Sequence, residues 1–301
     1  MKGPIIIAAS LILSLKGFAQ QKEIKDFNIP FELTSSNNIR VKVVLNSIDT
    51  LKLMLHTASS DISITEDGTA KTKSLIFNRT DTVTSWGSQQ NTSRFSAKNK
   101  LDINGLKLEN IQLWENKNTG PETDGKFGLN LFTDQFVSID FEKNIIQITE
   151  SLPKDLEHYQ KFPLVVKDDS MFLNAVCVIG NDTLDNQYLI HTGYGGTMLL
   201  DDDFSNKYKL NEQLKVISER DLKDSYGNTI KTRKAILPKF LLGKFELNQI
   251  PVSFFEGSVG RQKMSVIGGD LIKRFNLIID KDRKFVYIKP NKLNKAKYST
   301  I

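Results

Sequence analysis

The sequence of 301 residues is poor in cysteine, with one, and in histidine, with three. Since Cys177 is alone, an intramolecular disulfide is impossible, which excludes the disulfide-stapled folds of many small exported proteins. After the first residues there is no run that is apolar enough to span a bilayer. Basic residues are mixed with acidic ones and form no arginine-rich stripe, which disfavours nucleic-acid binding.

The N-terminal segment "MKGPIIIAASLILSLKGFAQ" has a lysine at position 2, an apolar stretch that ends at Leu15, and a small-x-small pattern from Gly17 to Ala19. This layout is typical of a secretory signal peptide, so we predict that residues 1–19 are removed and that the protein is periplasmic or secreted. Because no cysteine lies near the expected cleavage site, we expect no lipid anchor.

Most of the remaining chain consists of short alternating or apolar runs, such as "IRVKVVLN", "FVSIDF", "NLIID" and "FVYIKP". Glycine, asparagine and aspartate separate these runs, and "INGLKL" and "SYGNTI" are typical of hairpin turns. Helical periodicity is scarce, and the best candidate for a short helix is "GGDLIKRF". The sequence therefore predicts an all-β protein.

An internal repeat divides the chain into two halves. The stretch "GLNLFTDQFVSIDFEKNIIQI" from Gly128 aligns without a gap with "GGDLIKRFNLIIDKDRKFVYI" from Gly268, and "SWG" at 85–87 aligns with "SYG" at 225–227 in the same register. Such self-similarity indicates a duplicated β unit. We predict an N-terminal lobe at 39–150, a linker at 151–161, a C-terminal lobe at 162–290 and a basic tail at 291–301.

Two of the three histidines occupy matching places in this repeat. "KLMLHTASSDISI" contains His56-Thr57-Ala58, and "YLIHTGYGGTMLL" contains His191-Thr192-Gly193. The third histidine, in the linker, is interpreted as an exposed residue. About one residue in a hundred is histidine in this chain, so independent drift to histidine at both places has a chance of about one in ten thousand.

A duplicated β lobe with an apolar-apolar-x-Thr-Gly/Ala loop, a hairpin with an aromatic-Gly tip and a later apolar-Gly pair resembles the pepsin/retropepsin-like aspartic proteases. The resemblance is to bacterial exported aspartyl protease-like proteins, and it covers nearly the whole mature chain. It implies a bilobal fold with a central cleft in which the two Asp-Thr-Gly loops meet. The apolar-Gly pairs, here within "KFG" and "VIG", are expected to cross behind these loops.

The chain differs from the family in its catalytic residues, because His56 and His191 occupy the positions at which the two catalytic aspartates are expected. The resemblance implies that Thr57 and Thr192 hold the loops together at the floor of the substrate site. The expected flap residues, the tryptophan at position 86 and the tyrosine at position 226, would cover whatever the cleft binds. We therefore predict Trp86, Tyr226 and the two threonines as the residues around the ligand.

Two histidines cannot reproduce the proton sharing of two carboxyl groups unchanged, so ordinary aspartic-protease activity at acid pH is not expected. Two close imidazoles also repel a second proton, so one can be neutral and act as a base while the other is charged and acts as an acid. This hypothesis makes His56 and His191 catalytic residues of a hydrolase with a bell-shaped pH profile near neutrality.

Two alternatives stay open on the sequence alone. In the first, the protein is a pseudoprotease whose cleft binds an extended peptide or a glycan and releases it unchanged. In the second, the histidines bind a metal, but a zinc site needs three or four ligands, and only Asp61, five residues after His56, is near in sequence. We expect no metal, no cofactor, no nucleic acid, no membrane span and a monomer.

Overall fold

The computed structural model describes residues 26–84, 90–223, 229–255 and 262–299. In these ranges the helices are short, namely α1 (Glu66–Ala70), α2 (Asp202–Lys207), α3 (Leu210–Gln213), α4 (Gly269–Ile272) and a 3-10 helix (Leu129–Phe132). Helix α4 lies in the segment predicted to be helical. None of the described helices combines the length and the hydropathy needed to cross a membrane.

Strands dominate both halves of the chain. The first half has β1 (Phe27–Pro30), β2 (Glu32–Leu33), β3 (Ile39–Leu45), β4 (Asp49–Leu55), β5 (Ile62–Thr65), β6 (Arg79–Thr84), β7 (Gln90–Ile103), β8 (Leu106–Asn116), β9 (Gly125–Phe127), β10 (Phe136–Asp140) and β11 (Ile145–Thr149). The second half has β12 (Gln160–Pro163), β13 (Val165–Lys167), β14 (Ser170–Ile179), β15 (Asp182–Ile190), β16 (Met198–Leu199), β17 (Val216–Lys223), β18 (Thr229–Leu242), β19 (Phe245–Phe255), β20 (Ser265–Ile267), β21 (Phe275–Ile279) and β22 (Phe285–Pro290).

Each half forms its own eight-stranded sheet, and the two sheets have the same strand order. The first is β2-β3-β4-β9-β5-β8-β7-β6 and the second is β13-β14-β15-β20-β16-β19-β18-β17. Additional pairings, β3 with β7 and β14 with β18, curl each sheet into a barrel-like lobe. The all-β, two-lobed architecture predicted from the sequence is confirmed.

A third sheet, with the order β1-β11-β10-β21-β22-β12, joins the two halves. At its centre β10 and β21 are antiparallel, and Ser138 lies opposite Ile278. The ungapped alignment of the repeat, offset by 140 residues, equates these same two positions. A repeat that pairs with itself at equivalent residues has two-fold symmetry, so the duplication seen in the sequence is also the symmetry of the fold.

The strands form where apolar residues alternate with polar ones. In β3 the side chains of Ile39, Val41, Val43 and Leu45 are buried in the core of the first lobe, whereas Lys42 faces solvent. Burial of one face of a strand fixes its register, because a shift by one residue would expose every apolar side chain. The core continues through both lobes and the joining sheet.

The predicted basic tail is fastened to the second lobe as far as residue 299. The fully buried guanidinium of Arg274 donates hydrogen bonds to the carbonyl oxygens of Leu293, Ala296 and Lys297. It also lies 3.7 Å from the centre of the Tyr298 ring. The described part of this segment therefore packs as an ordered strap, held by charge-assisted hydrogen bonds.

Candidate functional site

The two His-Thr loops begin at equivalent strand ends and are held in the same way. His56 follows β4, and its backbone N–H donates to the carbonyl oxygen of Phe127 at 2.9 Å. His191 follows β15, and its N–H donates to the carbonyl of Ile267 at 3.0 Å. The apolar-Gly strands β9 and β20 thus run behind the loops, at the place that the resemblance implies.

Reciprocal hydrogen bonds between Thr57 and Thr192 connect the loops across the lobe boundary. Each backbone N–H donates to the hydroxyl of the other threonine at 3.1 Å. The Thr57 hydroxyl donates to the carbonyl of Ile190 at 2.5 Å, and the Thr192 hydroxyl donates to that of Leu55 at 2.6 Å. Both side chains are buried, so their hydroxyls hold the backbone of the opposite loop.

The structure brings the two histidines face to face. The ring centroids of His56 and His191 lie 4.5 Å apart with the planes tilted by 57°, and both side chains are partly exposed. The backbone N–H of Tyr194 donates to Nδ1 of His191 at 2.9 Å, which leaves the proton of the neutral ring on Nε2. Among the described residues no protein group bonds to the buried Nδ1 of His56.

The two loops differ at their third residue. A methyl group on Gly193 would lie 2.2 Å from Cδ2 of His56, so the absence of a side chain at this position leaves room for the His56 ring. The equivalent residue of the first loop, Ala58, keeps its methyl group and packs against apolar side chains of the second lobe. The departure from glycine at position 58 therefore provides an apolar contact.

A lysine that was not among the predicted site residues lies on the strand behind the His56 loop. Lys126 stands in β9 between two buried residues and opposite Met54 of β4, two residues before His56. Its positive charge disfavours protonation of both His56 and His191, and the carbonyl of the next residue, Phe127, accepts the backbone hydrogen bond of His56. A signal was present in the sequence, because "KFG" and "VIG" are otherwise alike and only the first carries a charge.

The imidazoles are neutral at pH 7. Burial among protein atoms, and then repulsion by His191 and Lys126, lowers the pKa of His56 well below its ordinary value. Burial and the charge of Lys126 lower the pKa of His191 to about 4. This differs from the expectation of one charged and one neutral ring, because desolvation and a neighbouring cation both disfavour the charged form.

The Lys126 ammonium is largely desolvated and lacks a close counterion among the described residues. Burial lowers the pKa of Lys126, and the negative charge of Asp61 opposes this effect. Asp61 is exposed, and it is the only carboxylate among the described residues whose charge acts appreciably on Lys126. The floor of the cleft therefore combines the Lys126 ammonium with two neutral imidazoles.

Equivalent faces of the two lobes border this floor with opposite character. The apolar face of lobe two consists of mutually packed side chains, against which Ala58 and Tyr194 of the His-Thr loops also pack. The residues of this face are Phe172, Leu189, Leu199, Phe255 and Val266. Strand pairing gives the equivalent positions in lobe one. This polar face of lobe one consists of Arg40, Met54, Ser63, Asn116 and Lys126.

The remaining sequence predictions concern the two flap residues, a metal site and Cys177. Trp86 and Tyr226 lie outside the described residues, although the strands that flank them pair as far as Thr84 with Gln90 and Lys223 with Thr229. The described residues contain no group of three or more histidine, cysteine, aspartate or glutamate side chains able to hold a metal. Burial raises the pKa of Cys177 to about 12, which makes this thiol unreactive.

Comparison with known proteins agrees with the geometry at the level of the fold. No protein-family model and no curated protein matches the sequence. Among solved structures, the chain is similar to the crystal structure of an aspartic proteinase from Irpex lacteus, with a TM-score of 0.63 and 14% sequence identity. The match covers 91% of this chain and 100% of the proteinase. The fold is therefore the bilobal pepsin-like fold with a central cleft.

Proposed function

We propose that this chain of pepsin-like fold binds an extended peptide in its inter-lobe cleft and releases it uncleaved. The fold supplies a cleft between two lobes that suits an extended chain, as in the proteinase that it resembles. Backbone groups along such a cleft pair with a peptide of any sequence, and the bordering faces select side chains. The histidines contribute polar contacts at the centre of the cleft.

The observation that carries this proposal is the environment of the histidine pair. A catalytic histidine is usually oriented by a third group, which also stabilises the ring when it takes a proton. Here Nδ1 of His56 has no such partner among the described residues, and Nδ1 of His191 accepts from a backbone N–H. The nearby Lys126 opposes protonation of either ring, so the pair is poorly suited to exchange protons.

A second candidate, a hydrolase that uses His56 and His191, is favoured by one specific observation. The rings face each other at 4.5 Å where the symmetric loops converge, and His191 presents a donor on Nε2. If His56 presents the lone pair of its Nε2, the pair offers one acceptor for a water and one donor for a carbonyl. A neutral histidine acts as such a donor in some isomerases.

Turnover separates the two candidates. The purified mature protein is incubated with a broad panel of peptides, and mass spectrometry measures both bound peptide and cleavage products. Binding without products is the expected result, and His56→Ala and His191→Ala are expected to weaken binding by less than about tenfold. Products from the wild-type protein that disappear in both variants would establish the hydrolase instead.

The flap positions and the ligand class are tested on the same panel. Trp86→Ala and Tyr226→Ala are expected to weaken peptide binding, since aromatic side chains over a cleft grip an extended chain. Oligosaccharides form a second panel, and a preference for them over every peptide would replace the peptide by a glycan as ligand.

Export to the periplasm or outside the cell is part of the proposal, because the N-terminal segment has the layout of a signal peptide. Cell fractionation is expected to find a protein that lacks residues 1–19 outside the cytoplasm. Intact protein in the cytoplasm would contradict it. Gel filtration of the mature protein is expected to give a monomer.

A further inference from the structure

Strand pairing places Lys126 on the side of β9 that borders the cleft floor. It lies opposite Met54 of β4 and opposite Ser63 of β5, while the adjacent Phe127 belongs to the core of the lobe. Side chains of directly paired residues share a face, and successive residues alternate between faces. The lysine therefore shares the face of Met54 and Ser63 rather than that of the core.

The fold does not require a charge at this position. In lobe two the equivalent residue is Val266, which pairs with Leu189 and Leu199 and is buried among them. A valine thus satisfies the same backbone geometry in the same protein. Placing an ammonium there costs desolvation energy, so its presence in lobe one points to a function.

The surroundings of the lysine are polar. Ser63 of the same face accepts a hydrogen bond from Asn116 at 2.8 Å. The neutral His191 ring carries its proton on Nε2, so it can donate a hydrogen bond. Burial disfavours the charge of Lys126, and the exposed Asp61 counters this only from a distance. An anion at this place would gain a cation and an N–H donor together.

We propose that Lys126 and His191 form a subsite for a carboxylate of the bound peptide, on the lobe-one side of the cleft. This subsite rests on the proposed peptide-binding function. The carboxylate belongs to an aspartate or glutamate side chain or to the C-terminus of the peptide. A single lysine beside two neutral imidazoles matches one negative charge, which favours a carboxylate over a doubly charged phosphate. The apolar face of lobe two binds an apolar side chain of the same peptide.

The test uses synthetic octapeptides that are acetylated and amidated, with one position fixed as glutamate or as glutamine and the others mixed. A third set has a free C-terminus and no acidic residue. Binding is measured by fluorescence polarisation with the mature protein and with the Lys126→Val, Lys126→Arg and Lys100→Val variants. Lys100→Val removes the same charge from an exposed position on β7, so it controls for net charge. Thermal melting shows that each variant is folded.

At one fixed position the wild-type protein is expected to prefer glutamate to glutamine by about ten- to hundredfold, as expected for a charge-assisted hydrogen bond. If the C-terminus supplies the carboxylate, the free-acid set is preferred instead. Lys126→Val should abolish the preference, whereas Lys126→Arg and Lys100→Val should keep it.

The outcomes separate this inference from the function on which it rests. Equal binding of glutamate, glutamine and free-acid peptides by the wild-type protein overturns the carboxylate subsite and leaves peptide binding intact. A preference that persists in Lys126→Val also overturns it. If no peptide set binds the wild-type protein, the proposed function fails, and the subsite fails with it.

Discussion

The polar face of lobe one and the apolar face of lobe two have the same backbone pairing and opposite chemistry. In lobe two, five apolar side chains pack together and receive Ala58 and Tyr194 from the loops. In lobe one, the equivalent positions hold arginine, serine, asparagine and lysine, with methionine as the one apolar side chain.

This difference indicates that the two lobes kept the same backbone structure around the cleft after the duplication. The side chains that face the cleft diverged. The threonine contacts that join the loops stayed symmetric, because each lobe depends equally on them. Lys126 of lobe one lowers the pKa of both histidines. The symmetric part is therefore structural, and the asymmetric part determines what is bound.

The largest effect is expected when a lysine is introduced at the equivalent position of lobe two. Val266→Lys would bury an ammonium between Leu189 and Leu199 without a partner, at a cost of roughly 4–5 kcal/mol in the free energy of unfolding. Lys126→Val should cost less than about 1 kcal/mol or stabilise the protein, because it removes a desolvated charge. Urea unfolding of both variants and of Val266→Met measures this; equal losses for the two lysine–valine exchanges would contradict the comparison.

The symmetric contacts should respond symmetrically. Thr57→Val and Thr192→Val each remove a hydroxyl that donates to one carbonyl and accepts from one N–H, so each should lower the free energy of unfolding by about 3 kcal/mol. Thr57→Ser and Thr192→Ser keep the hydroxyl and serve as controls. A loss in only one of the two valine variants would show that the loops are not equivalent.

Acid should destabilise the protein through the histidines. A histidine whose pKa is about 4 in the folded state and about 6.5 in the unfolded state favours unfolding as the pH falls through this window. For His191 alone the loss is about 2 kcal/mol between pH 7 and pH 5. Urea unfolding at both pH values should show a smaller loss in His191→Gln, and an identical pH dependence in the two proteins would refute this account.

The smallest effect is expected at the third residue of the loops. Gly193→Ala places a methyl group against the His56 ring, which can rotate away, so stability should change by less than about 1 kcal/mol while the ring moves. Ala58→Gly should leave the ring in place. The His56 signal in an NMR spectrum distinguishes the two, and it should shift only in Gly193→Ala.

The fold and the placing of the histidine loops could be predicted because the repeat carries them. The alignment of Gly128 with Gly268 equates Ser138 with Ile278, and the sheet pairs these two residues. The matched His-Thr motifs indicated two equivalent loops at the lobe boundary. Periodicity and duplication are properties of the sequence itself, so they can be recognised without the structure.

The electrostatics of the floor could not be predicted in the same way. Lys126 is 70 residues from His56 in sequence, and only the parallel pairing of β9 with β4 brings it beside the loop. The low pKa of both imidazoles follows from burial and from that lysine, neither of which the motifs contain. For this reason a half-protonated pair was expected, whereas burial and Lys126 favour a neutral pair.

Titration of the histidine ring protons by NMR tests the central claim most directly, since the account depends on a neutral pair beside Lys126. In the wild-type protein both His56 and His191 should titrate below pH 6.5, with His191 near 4. In Lys126→Val both pKa values should rise, because a repelling charge is gone. Either cleft histidine titrating at or above 6.5 in the wild type, or no change in the variant, would contradict the account.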